Sequence, residues 1–142
     1  MRLTIVFSLL LLTSFRPSSF EVTCKNITGN GITHLQLTNS QLGPKYKEEV
    51  AKKDALKAIL YSGVNGCGQV NALLKDNESL SQFKKIEKSF FSKKGEWSKY
   101  TREDPGSNAV PSLGQHLIIV DVPLLRRDLE SKNIIKSLNH GF

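Results

Sequence analysis

Chemistry in this chain would have to come from two cysteines, three histidines, a scatter of acids and one glycine-rich run. Cys24 and Cys67 form a candidate disulfide if the fold brings their Cα atoms within about 7 Å. Such a bond closes a loop of about 43 residues and is worth roughly 4 kcal/mol in the chain-entropy model. A nucleophilic thiol would need a neighbouring base to lower its pKa, and neither cysteine has a histidine close in sequence. There is no C-x-x-C, so neither a zinc ribbon nor a thioredoxin-type motif is available. His34, His116 and His140 stand apart, without the H-x-x-x-H or H-E-x-x-H spacing of a helix-borne metal site. No metal ligand and no cofactor is therefore expected. The acids Glu48-Glu49, Glu103-Asp104 and Asp128 with Glu130 read as solvated helix and loop charges. G-x-S-x-G is absent, which excludes the α/β-hydrolase nucleophile elbow. No catalytic residue is assigned.

The run GVNGCGQVN, residues 63–71, has the glycine density of a phosphate cradle. A cradle places its glycines ahead of a helix, where unpaired N–H groups and the dipole face the anion. Here the glycines follow a helix, and a helix carboxyl end carries the opposite sign. The run is expected to be a backbone bend that packs closely, with Gly63 as a left-handed helix cap.

The elements that position these residues follow from periodicity. Residues 21–38 alternate about Gly29-Asn30-Gly31 and predict a β-hairpin. Pro44 opens a helix over residues 45–62, with Ala51, Ala55, Ala58, Ile59 and Ser62 on one face and Leu56 and Leu60 widening it. Lys47, Lys53, Lys57 and Asp54 fall elsewhere. Ser79 to Gln82 reads as a capping box for a helix over residues 80–92, with Leu80, Phe83, Ile86 or Glu87, and Phe90 inward. Residues 97–101 predict a short strand, and residues 103–114 a loop. Residues 116–122, HLIIVDV, give the strongest strand signal and fit a central strand. Pro123 then begins a helix over residues 123–132, which Asp121 is placed to cap. Ile134, Ile135 and Leu138 form a further apolar patch.

The first 19 residues have the layout of a secretory signal peptide: Arg2, a run of apolar residues from Leu3 to Leu12, then Ser, Pro and Arg. The run is shorter than the ~20 residues of a membrane span. Residues 20–142 are expected to form a single α+β domain. Removing residues 1–19 takes away Arg2 and Arg16 and lowers the net charge from +7 to +5. A basic balance favours polyanionic partners. For an exported protein these are envelope proteins and anionic cell-surface polymers, with nucleic acid ranked below them. Lys84, Lys85, Lys88, Lys93 and Lys94 are the candidate anion-facing residues, against the plainer reading of a solvated helix face.

The stretches AKKDALKAILYSGVNG (residues 51–66), FKKIEKSFFSKKGEWSKYTR (83–102) and VDVPLLRRDLESKNIIKSL (120–138) stand in this order along the chain. Taken together they resemble an uncharacterised family of small exported Bacteroidetes proteins. A weaker likeness runs to the N-terminal domain of flagellar-assembly lipoproteins, through the hairpin and alanine-rich helix. The resemblance implies an envelope location and an α+β domain, and it transfers no catalytic residue. The expected architecture has two layers, an antiparallel sheet of about four strands with helices packed on one face. The expected role is an exported, periplasmic or secreted binding module. The alternative is a hydrolase whose site assembles only in three dimensions.

Overall fold

The computed structural model describes residues 20–68 and 70–137. The expected leader, Leu138 and His140 lie outside the described residues. Four strands form one antiparallel sheet in the order β1-β2-β4-β3: β1 (Glu21–Ile27), β2 (Ile32–Thr38), β3 (Thr101–Glu103) and β4 (Gln115–Asp121). The helices are α1 (Glu48–Lys57), which runs on into a π turn at Ala58–Ser62, α2 (Asn77–Lys84), α3 (Glu87–Phe90) and α4 (Val122–Ser131). The α+β class and the four-stranded sheet expected from the sequence are what the molecule has.

The strand period of two decides which side is covered. Leu35 and Leu37 on β2, Ile118 and Val120 on β4 and Cys24 on β1 enter one core with Ala51, Ala55, Leu56, Ile59 and Leu60 from α1. Leu125 and Leu129 of α4 join the same core. The register fixes this, since Leu35 lies opposite both Cys24 and Ile118. The alternate residues Ile32, His34, Gln36 and Leu117 fall on the uncovered side and stay partly exposed. Alanines at 51, 55 and 58 let α1 lie close on the strands without a thick side-chain layer.

Several boundaries differ from the sequence expectation. Pro44 serves a separate 3-10 turn (Gly43–Lys45), and α1 starts only after an extended Lys47. The π turn adds a residue to the last turn of α1, and Ser62 is exposed rather than on the alanine face. Gly63 ends it at φ 74° and ψ 172°, which is a positive-φ stop but not the left-handed helical cap. Asp54 is partly buried instead of lying clear of the core, because the Tyr46 hydroxyl donates to it at 2.9 Å.

The capping box belongs to Asp76, whose carboxylate accepts from the Ser79 amide while Ser79 sits three residues into α2. The frame therefore shifts, so that Ser79 and Phe83 face inward and Leu80 is exposed. The expected single helix is two, since Ile86 N–H closes a tight turn on Phe83 C=O at 2.9 Å. The break brings the rings of Phe83 and Phe90 to 5.2 Å, edge to face. Residues 96–99 make a 3-10 turn that buries Trp97, and the short strand begins at Thr101. Gly95 precedes this turn where a Cβ would lie 2.1 Å from Phe90 O, so the chain there has no room for a side chain. Asp121 caps α4 as expected, accepting from the Leu124 amide at 3.0 Å. Ile134 is buried beyond the end of α4, and Ile135 packs beside it.

Candidate functional site

The cysteines are bonded. Cys24 of β1 and Cys67 of the glycine run form a disulfide with a Cα–Cα distance of 5.4 Å. The run folds back on itself through a Val64–Val70 bridge and lies along the outer edge of β1, where the Cys24 amide donates to Asn65 C=O at 2.9 Å. At Gly66 (φ +114°) a Cβ would stand 2.6 Å from Cys24 O, so glycine is what permits this approach. The run is thus a clip that covers one sheet edge. The Cys24 amide, its partner across the edge, is spent on pairing with it.

The two described histidines are separated by the sheet. His34 on β2 pairs with Ile119, on the open face, and its Nδ1 lies 3.3 Å from Asp104. His116 on β4 points to the helical side and is 5% exposed. Its Nε2 donates to Tyr46 C=O at 2.7 Å, and its Nδ1 lies 3.3 Å from Glu103 Oε1. A site using both imidazoles is excluded by the strand parity that places them back to back. Among the described residues no group of three or more His, Cys, Asp or Glu side chains is arranged to hold a metal ion.

His116 belongs to a cluster that sequence reading missed. Glu103 comes from β3 and Glu48 from the first turn of α1, and the fold brings the two carboxyls together beside the imidazole. Lys52 forms an ion pair with Glu48 one turn along α1. The Lys52 ammonium, then hydrogen bonding with Glu103, hold the Glu48 carboxyl below its usual range, and His116 adds to this. In sequence these acids belong to two ordinary charged pairs 55 residues apart. Only the β3–β4 register, which sets Glu103 opposite Ile118 on the helical side, carries the signal. The cluster fastens the start of α1 to the sheet.

Of the fifteen lysines, four have an ion pair among the described residues and eleven, including Lys25, Lys45, Lys47, Lys57, Lys75 and Lys136, have none. Lys52, Lys53, Lys99 and Lys132 pair with Glu48, Glu49, Asp128 and Glu96. Lys84, Lys85, Lys88, Lys93 and Lys94 are all exposed, and among the described residues none has a carboxylate within ion-pair distance. Lys85 donates only to the neutral Gln82 amide oxygen. The one acid between residues 84 and 94 is Glu87, and it accepts from the Tyr61 hydroxyl at 2.9 Å. Beneath this stretch Phe83 and Phe90 are buried, and Phe91 is half-buried against them, so the backbone carrying the lysines is anchored.

No family model matches this chain, and neither a curated protein nor a solved structure is significantly similar to it.

Proposed function

We propose that this protein is an exported, non-enzymatic binding module that engages an anionic component of the cell envelope through Lys84, Lys85, Lys88, Lys93 and Lys94. The observation that carries the reading is the density of unpaired charge. Five of the eleven residues 84–94 are exposed lysines with no ion pair among the described residues, whereas the six other unpaired lysines are spread along the chain. Clustered like charge works against compactness and attracts polyanions. A disulfide supports export, because such bonds persist in oxidising compartments. No described helix is long and apolar enough to cross a membrane. The three sequence stretches that resemble small exported Bacteroidetes proteins point the same way.

The test is retention on an immobilised polyanion along a salt gradient. Wild-type protein is expected to be retained, and a variant with all five lysines changed to Gln should elute at clearly lower salt. Counter-ion release makes each lost contact lower the salt sensitivity of binding by somewhat under one, on the scale known for nucleic acids. Equal elution of the two proteins would overturn the proposal. The hydrolase alternative has less support: among the described residues, none of the three main cavities is lined by two of His34, His116, Cys67 and Asp121.

A further inference from the structure

A cavity of about 410 Å³ opens where α1 widens into its π turn. Phe20 ahead of β1, Asn39 after β2, and Asp54, Lys57, Tyr61 and Ser62 of the helix line it. Lys57, Tyr61 and Ser62 are exposed at its mouth, while Asn39 is buried. One Asp54 oxygen, Oδ2, accepts from the Tyr46 hydroxyl at 2.9 Å.

This mixture of groups fits a sugar ring. Phe20 and Tyr61 put two aromatic side chains in its wall, a residue type that packs against polarised C–H groups. The Asp54 carboxylate and the Ser62 hydroxyl are groups that exchange hydrogen bonds with ring hydroxyls. The Lys57 ammonium stands ready for an acid substituent, as a charge-assisted contact. The volume lies in the range of small-ligand sites.

Two lining residues of the cavity also touch the stretch that carries the lysines. The Tyr61 hydroxyl at its mouth donates to Glu87 of α3, and the Lys57 ammonium lies over the Phe91 ring at 5.4 Å. A polymer with one unit in the cavity would therefore meet α3 and its lysines directly.

We infer that the cavity takes one unit of an acidic polysaccharide whose chain continues over Lys84, Lys85, Lys88, Lys93 and Lys94. This rests on the polyanion reading above and adds the chemical class of the polymer. Bare polyphosphate and nucleic acid satisfy the lysines, but polyphosphate carries no C–H face or hydroxyls for the cavity.

The test compares binding of an oligogalacturonate, a chain of uronic acids, with binding of polyphosphate of matched charge. Wild-type protein is expected to prefer the uronate by about tenfold, the scale of one or two aromatic contacts. Ser62→Trp fills the mouth from an exposed position and should abolish that preference while leaving polyphosphate affinity unchanged. Phe20→Ala, which removes an aromatic wall without changing the charge, carries the same expectation should the bulky variant fail to fold. Equal affinity for the two polymers, or a preference that both variants retain, overturns the saccharide site and leaves the lysine face standing. Binding of neither polymer overturns the parent reading as well.

Discussion

Lys52 on α1 lies beside Glu48, 20% exposed, with a buried imidazole one carboxylate away. Lys84 at the end of α2 is exposed and has no ion-pair partner among the described residues. Both are helix lysines of the same formal charge, yet they sit in different electrostatic settings. The first belongs to a set of contacts that closes α1 onto the sheet. The second belongs to a stretch whose charge is left for solvent or a partner. Net charge alone does not separate these regions; the positions of the carboxylates do.

The hardest way to break the comparison is to remove the floor under the unpaired lysines. Phe83 is fully buried and meets the rings of Tyr61, Phe90 and Phe91. Phe83→Ala is expected to cost about 3–5 kcal/mol in denaturant unfolding. Polyanion retention should weaken in the same variant, since α2 and α3 lose their shared anchor. Full retention after that loss would mean the lysines act as a tethered charge, independent of the fold.

Opening the disulfide tests the opposite half. Cys24→Ser with Cys67→Ser frees the glycine clip from β1, at a cost of about 2–4 kcal/mol. Thermal unfolding with and without a reductant measures it: the double variant should match reductant-treated wild-type protein and be unaffected by the reductant itself. Below the new midpoint, polyanion retention is expected to be unchanged, because the clip lies along β1 rather than on α2 or α3.

These two regions were unequally legible in the sequence. The hairpin, the central strand and the α4 cap follow from local pattern, because alternation and an Asp two residues ahead of a Pro are short-range signals. The glycine run was readable as a bend because the sign of a helix end is local too. The α2–α3 break was not, since it depends on Phe83 and Phe90 meeting in three dimensions. The 3-10 turn at Glu96–Lys99 was hidden for a similar reason: Trp97 reads as a strand residue until Gly95 and Phe90 force a tight approach. The lysine stretch was visible as charge, but its want of partners was not, because that depends on where Glu87 turns. The Glu48–Glu103–His116 cluster needed the β3–β4 register and carried no sequence signal at all.

A pH series sharpens the comparison at Asp128. The Tyr100 hydroxyl donates to this carboxylate at 2.7 Å and Lys99 lies at 2.9 Å, and together they hold it below the usual carboxylate range. A depressed folded pKa means stability that is present above the unfolded value, near 3.9, and lost as pH falls through the folded one. Asp128→Asn should therefore cost about 1 kcal/mol at neutral pH, a modest figure because water screens the site. The gap between variant and wild type is expected to shrink as pH falls below the carboxylate range. A constant gap across the series would assign the loss to shape instead of charge.

The smallest effect is the most direct comparison of the two lysine sets. Lys52→Gln removes half of an i, i+4 pair and leaves Glu48 beside Glu103 without its ammonium. The expected cost is under about 1 kcal/mol, because the pair is partly solvated. Lys84→Gln removes a cation that pairs with nothing among the described residues, so stability should hold or rise slightly as like-charge repulsion falls. Retention on the polyanion should move the other way, falling for Lys84→Gln and holding for Lys52→Gln. The two substitutions change net charge equally, so bulk electrostatics predicts equal elution for both. Crossed outcomes, one variant losing stability and the other losing retention, require that position rather than total charge governs each property.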